Sequence, residues 1–193
     1  MAIEVEDGSG KSNAVAFCDA TFVATYATLR GLTWPAQAST GALQEAAIVL
    51  GADYLRNETR FPYRGTKKTA AQAMPFPRTG CSEKNGPAIA DTEIPFRLKE
   101  ANARAAIMIA NSGTTGVLLN LEPSLERGGK ITNSKIDVIS TTFADDAPVE
   151  TVYPAVQGIL APLLRSSAVQ HAPIVGYIAE DETPFYPGEY DNA

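Results

Sequence analysis

The chain has 193 residues, of which 45% are hydrophobic and 20% charged, and it carries a formal net charge of −6. That length and composition suit one domain with a buried core plus appended segments, and the acidic excess speaks against a protein whose main surface is a nucleic-acid groove. With two distant cysteines, Cys18 and Cys81, and the single histidine His171, neither a disulfide framework, a zinc site nor a His-based triad has the residues it needs.

Residues 1–13 are acidic and then Gly/Ser-rich, and read as an extended arm. Gly8-Ser-Gly-Lys-Ser12 looks like part of a phosphate-binding loop, but the Walker spacing puts Val5 where its first glycine belongs, and only seven residues precede Gly8. A plain arm is the simpler reading. This opening has no basic start or apolar core of the kind a signal peptide needs, and no apolar run approaches the roughly 20 residues of a membrane span. The expectation is a soluble chain with no membrane partner.

Asp19 is a suitable N-cap for a helix over about 19–30, with Phe22, Val23, Tyr26 and Leu29 on its apolar face and Gly31 as its stop. Trp34, the only tryptophan, is expected to plug the core where this helix turns into the next. A second helix runs from about Thr40 to Asn57, with Leu43, Ala47, Leu50 and Tyr54 facing inward. Gly51 inside it costs about 1 kcal/mol relative to alanine, which points to another backbone passing close by.

Residues 56–84 form a basic stretch broken by prolines. Seven Lys or Arg stand against Glu58 and Glu83, a local balance of +5 in an acidic chain. Arg60, Arg64, Lys67, Lys68, Phe76 and Arg78 are the candidate contact residues. Met74-Pro-Phe-Pro-Arg78 must be extended, since each proline biases the residue before it away from helix. Phe76 and Arg78 are expected to be presented outward on that stiff backbone. Interleaved Arg60, Phe61, Tyr63, Arg64, Lys67 and Lys68 would also suit stacking of bases along a single strand. The alternative is a protein contact, with an acidic neighbour or another copy of the chain.

Pro95 opens the most regular helix, with Ile94, Leu98, Ala101, Ala105 and Met108 at helical steps and Glu100 and Arg104 paired on the other side. Tyr54 and Leu98 are core candidates alongside Trp34. β-Branched alternation over 130–143 reads as one or two strands around Asn133-Ser134. A short helix follows from Pro154, distorted at its end by Pro162. Residues 166–193 combine three prolines with acids and the aromatics Tyr177, Phe185, Tyr186 and Tyr190, the mixture of a tail that becomes ordered on a partner. From residue 105 onward, four basic residues face eleven acids. A basic loop in one half and an acidic tail in the other favour head-to-tail contact between copies. The adjacent acids Asp145-Asp146 and Glu180-Asp-Glu182 are solvated charge, and no constellation for catalysis, cofactor or metal binding is present, so the chain is not expected to be an enzyme. The fold expected is mainly α: a small helical bundle over 1–165 with a β-hairpin insertion and an N-terminal arm, then an extended tail over 166–193.

The order of short motifs carries a resemblance. Val5-Glu-Asp-Gly-Ser-Gly10, Arg30-Gly31, Trp34, Ala52-Asp-Tyr-Leu55, Tyr63-Arg-Gly65, Gln72, Pro75-Phe-Pro-Arg78-Thr-Gly80, Ile94-Pro95 and Tyr153-Pro-Ala-Val-Gln-Gly-Ile-Leu-Ala-Pro-Leu-Leu164 together resemble tailed-phage head-tail connector (adaptor, head-completion) proteins over about residues 3–165. Some of those relatives carry a DnaT-like single-stranded-DNA-binding label. Phe76 stands where that family has Trp, and the tail after Ser166 has no counterpart. The resemblance implies a homo-oligomeric ring, a dodecamer, below the portal at the capsid vertex of the virion, assembled from the host cytoplasm. Portal protein, tail or nozzle proteins and double-stranded DNA sliding through the lumen would be its partners. On that reading the basic loop is the subunit or portal interface, and Tyr177, Phe185, Tyr186 and Tyr190 contact a neighbour or tail protein. The alternative is a single-stranded-DNA-binding accessory protein of replication.

Overall fold

The computed structural model describes residues 3–112, 118, 133–136, 139–142 and 153–165. Local chemistry sets the helix ends. The Asp19 side chain accepts from Phe22 N at 2.8 Å and starts α1, Ala20–Leu29, which Gly31 closes at φ +61°, a conformation that favours glycine. Thr40 accepts from Leu43 N at 3.3 Å and starts α2, Gly41–Arg56. Beyond that helix, the Asn57 side chain accepts from Thr59 N and Arg60 N, turning the chain into the basic loop. The long helix α3, Phe96–Ser112, follows Pro95, whose carbonyl accepts from Leu98 N. The last helix, α4, Pro154–Leu160, carries proline at its first position and tightens into a 3-10 turn over Ala161–Leu163 that contains Pro162.

Two small antiparallel ribbons complete the pattern. Strands β1, Thr66–Lys67, and β2, Arg78–Thr79, pair across the basic loop. Strands β3, Asn133–Ile136, and β4, Ile139–Thr142, form a hairpin in which Asn133 faces Thr142 and Ile136 faces Ile139. The architecture is mainly α with a small hairpin, as the sequence predicts. Within the basic loop, residues 70–71 form a non-helical turn.

The helix α3 is the axis of the body, packing on α2, α4 and α1. It is buried on nearly every side, through Leu98, Ala101, Ala103, Ala105, Ala106, Ile107, Ile109 and Ala110. The small side chains let α2 approach closely: a Cβ on Gly51 would lie 3.0 Å from Ala106 N and 3.2 Å from Ala105 Cβ. The backbone contact expected at Gly51 is therefore present. Asn102 is fully buried at the same crossing, donating to Ile48 O and accepting from Phe17 N, each at 3.0 Å. One amide thus ties α3 to α2 and to the N-terminal segment. Tyr54 and Leu98 lie in the core as expected. Trp34 is half-buried at its edge, before a cis Pro35, so it covers the core more than it fills it. Leu29, expected on the inward face of α1, is 76% exposed.

The N-terminal arm is corrected by the structure. It is a closed loop wound around the side chain of Glu6, which is 1% exposed. Gly8 N and Gly10 N donate to Glu6 Oε1 at 3.0 Å, and Lys11 N donates to Oε2 at 2.8 Å. Such a nest of backbone N–H groups holds an anion, and here the anion is the chain's own carboxylate. Beside it the exposed Asp7 is lowered to about 2, because the Ser9 hydroxyl and amide both donate to it and Lys11 adds a third interaction. Gly8 sits at φ +103°, where a Cβ would fall 2.0 Å from Thr92 O, so the loop is also clamped to the approach to α3.

Candidate functional site

The basic loop between α2 and Gly80 folds inward. Phe61, Tyr63, Met74 and Phe76 are each at most 2% exposed. The aromatic rings among them form a row with Tyr54 of α2 and Tyr153, the residue that precedes α4: Tyr153 meets Tyr54 edge-on at 5.5 Å, Tyr54 meets Phe61 at 5.4 Å, and Tyr63 meets Phe76 at 5.3 Å. Edge-to-face pairs of this kind add about 0.5–1.5 kcal/mol each beyond the area they bury. Burial pushes the phenols of Tyr63 and Tyr153 above their ordinary range, and the Tyr63 hydroxyl donates to Leu55 O at 3.0 Å. Gln72 holds the returning segment by donating to Met74 O and Pro77 O.

The cations point at backbone carbonyls more than at solvent. Arg78 is 6% exposed. Its guanidinium donates to Arg64 O and Gly65 O at 2.9 Å, Pro75 O at 3.1 Å and Glu58 Oε2 at 3.2 Å. The planar fork of arginine suits this; a lysine ammonium could not span the same acceptors. Lys67 pairs with the other Glu58 oxygen at 2.9 Å. Burial tends to raise Glu58, but the Lys67 and Arg78 hydrogen bonds outweigh it and leave the carboxyl below its ordinary range.

The same loop grips the end of the described chain. Tyr63 and Leu164 form an antiparallel bridge, with Arg64 N donating to Leu163 O at 3.0 Å and Arg165 N to Pro62 O at 2.8 Å. Arg64 Nε donates to Leu164 O at 2.9 Å, and Arg165 Nη2 donates to Gly65 O, the carbonyl that Arg78 also uses. Residues 57–80 are thus a clasp that fastens the segment 153–165 back onto the body.

The structure therefore sorts the six expected contact residues. Arg64, Lys67 and Arg78 converge on Glu58, Gly65 and Leu164. Arg60 lies over the Tyr54 ring, with its guanidinium carbon 4.7 Å from the ring centre, and the Lys68 ammonium reaches Gly8 O only at 3.5 Å. Phe76 and Arg78, expected to be presented outward on an extended backbone, are interior: the segment bends at residues 73–75 and 77, and Phe76 packs edge-on against the buried Tyr63. Tyr177, Phe185, Tyr186 and Tyr190 lie outside the described residues.

What does face solvent is a groove that the sequence did not reveal. Phe22, Thr25, Tyr26, Leu29, Arg30 and Phe96 line a nearly all-apolar hollow of about 150 Å³ between α1 and the start of α3. Phe22 and Phe96 meet edge-on at 5.7 Å, and Phe96 is 63% exposed. Arg30 covers the Tyr26 ring at 3.8 Å and is held there by Glu100, the residue read from the sequence as a partner of Arg104. Among the described residues there is no group of three metal-ligating side chains, and no helix is long and apolar enough to cross a membrane.

A family model described as "Putative DnaT-like ssDNA binding protein" matches residues 1–175. The chain belongs to this family. No curated protein and no solved structure matches it. The stretch shared with the DnaT-like family takes in the Glu6 loop, the four helices among the described residues, the clasp and the fastened segment, so the features that close the body lie within the family's own span.

Proposed function

We propose that this member of the DnaT-like family is a head-tail adaptor of a tailed phage. It would be a structural subunit whose copies form a ring between portal and tail, at the capsid vertex, with DNA passing through. The observation that carries this reading is the inward turn of the basic loop. A single-strand binder needs aromatic faces that bases can stack on and cations free to follow phosphates, and here Phe61, Tyr63 and Phe76 are buried while Arg64 and Arg78 are committed to the clasp. The outward-facing large apolar side chains among the described residues, Leu29 and Phe96, sit on one edge of the body, where a protein neighbour would cover them. A ring closes through a heterologous interface, which the opposed charge of the two halves of the chain would favour. An overall charge of −6 suits a lumen through which DNA slides without sticking.

The test is co-purification. The intact chain is expected in mature particles and bound to portal or tail proteins, while a chain lacking residues 166–193 stays folded but no longer docks. Absence from particles would refute the assignment. The family description favours the second reading, a replication accessory protein that binds single strands. A labelled oligonucleotide titrated across salt separates the two: binding at about 100 mM salt with a steep slope that disappears on Lys67→Ala and Lys68→Ala would favour the DNA reading. Those two lysines are chosen because neither donates to the carbonyls through which the loop holds the segment 153–165.

A further inference from the structure

The groove between α1 and α3 is an apolar hollow on an otherwise charged surface, and the chain carries a segment suited to it. We infer that in the free chain this groove is covered by the chain's own tail, with Phe185 and Tyr186 seated against Phe22, Leu29 and Phe96. The inference does not depend on the adaptor reading.

The first argument is fit. A hollow of about 150 Å³ with apolar walls matches the size at which apolar cavities in other proteins take up a benzene ring. Thr183-Pro-Phe-Tyr-Pro187 offers two adjacent rings between two prolines, whose fixed φ lowers the entropy lost on docking.

The second is charge. The tail segment is flanked by Glu180, Asp181 and Glu182 on one side and Glu189 and Asp191 on the other. At the groove, Arg30 lies over the Tyr26 ring, paired with Glu100, and Arg104 stands one turn beyond Glu100 on α3. Acidic flanks on an aromatic pair are therefore steered toward the rim.

The third is reach. The tail leaves the body at Arg165, next to the 3-10 turn whose Pro162 carbonyl accepts from Lys84 N; the neighbouring Glu83 holds Arg97, beside Phe96. The tail root and the groove are thus linked by two short contacts. Twenty residues separate Arg165 from Phe185, and a chain of that length has a root-mean-square span of about 25 Å, which holds its rings near the body at an effective concentration in the millimolar range. At such values the chain's own tail outcompetes the tail of another copy in dilute solution.

The experiment uses the full chain with p-benzoylphenylalanine at position 185, prepared in nitrogen-14 and nitrogen-15 forms, mixed in equal amounts, irradiated and mapped by mass spectrometry. The expected result is crosslinks to peptides holding Phe22, Leu29 or Phe96, with both halves of each pair carrying the same isotope. Replacing Leu29→Glu and Phe96→Glu together should lower their yield about tenfold, since the apolar contact is lost at exposed positions. Mixed-isotope pairs would overturn the assignment to the chain's own tail and point to a second copy. Crosslinks elsewhere, or a yield indifferent to the double substitution in a chain whose circular dichroism is unchanged, would overturn the groove. Should the double variant unfold, the isotope map of the parent chain decides by itself. None of these outcomes bears on whether the chain is found in phage particles.

Discussion

Arg78→Ala should destabilise the protein strongly, although the residue lies in a polar, basic loop. The side chain donates four hydrogen bonds, three to carbonyls of Arg64, Gly65 and Pro75 and one to Glu58. Hydrogen bonds from a charged donor contribute about 1.5–3 kcal/mol each and do not add fully, because one guanidinium serves all of them. The Glu58 side chain is 38% exposed, so the ionic part is screened, and most of the loss comes from the Arg64 and Pro75 carbonyls that lose this donor, Gly65 O keeping Arg165. A total of about 3–5 kcal/mol follows, the range seen when one partner of a buried charged network is removed. For a chain of this length that lowers the melting temperature by about 6–20 °C. Arg78→Lys keeps the charge but cannot span the acceptors, and about half of the loss should remain. Urea and thermal unfolding followed by far-UV circular dichroism measure both variants, with Lys67→Ala as the control for a mostly exposed partner of Glu58, expected at or below about 1 kcal/mol. An Arg78→Ala cost below about 1 kcal/mol, indistinguishable from that control, would refute the clasp as described.

The other predictions concern the core, the N-terminal loop and pH. Gly51→Leu should cost more than about 2 kcal/mol in urea unfolding, because Ala106 N and Ala105 leave no room for a side chain at the α2–α3 crossing. Asn102→Ala leaves Phe17 N without an acceptor in the core and removes the additional bond to Ile48 O, and should cost about 1–3 kcal/mol; amide hydrogen exchange at Phe17 should accelerate with it. Gly8→Ala forces a Cβ onto Thr92 O at an unfavourable φ, and should release the Glu6 loop, seen as new protease cleavage before residue 12. For Glu58 the folded pKa is lower than the ordinary 4.5, so its contribution is complete above that value and lost as pH falls through the folded one. Glu58→Gln should therefore flatten the acid limb of a stability–pH profile below about pH 4.5, and an unchanged limb would contradict the pairing.

The helices were legible because their signals are local. Asp19, Thr40, Gly31 and Pro154 act on residues within one turn, so reading them needs no knowledge of what packs where. Gly51 was informative for a different reason: a costly residue in a good helix implies a compensating contact, and Ala106 supplies it. The basic loop misled because a linear charge count ignores direction. Glu58 looked like one acid among seven cations, whereas folding places it against Lys67 and Arg78 and leaves the remaining donors to carbonyls as distant in sequence as Leu164. Backbone acceptors carry no sequence signature, so the inward turn of Arg64 and Arg78 could not be read from residue types. The glycine-rich start misled in the same way, since nothing in Gly8-Ser-Gly-Lys announces that Glu6 fills the nest. The groove was hidden because Leu29 falls on the apolar phase of α1, yet no described residue covers it.

The chain departs after Ser112 and comes home at Tyr153, where two prolines and a handful of arginine contacts lock it in place. Forty residues of sequence lie between those two points, joined at both ends to a body fastened by the clasp. Doubling the length of such an excursion adds only about 0.6 kcal/mol of closure entropy. At that cost the connecting stretch can lengthen or shorten while the fastened ends hold the body as it is.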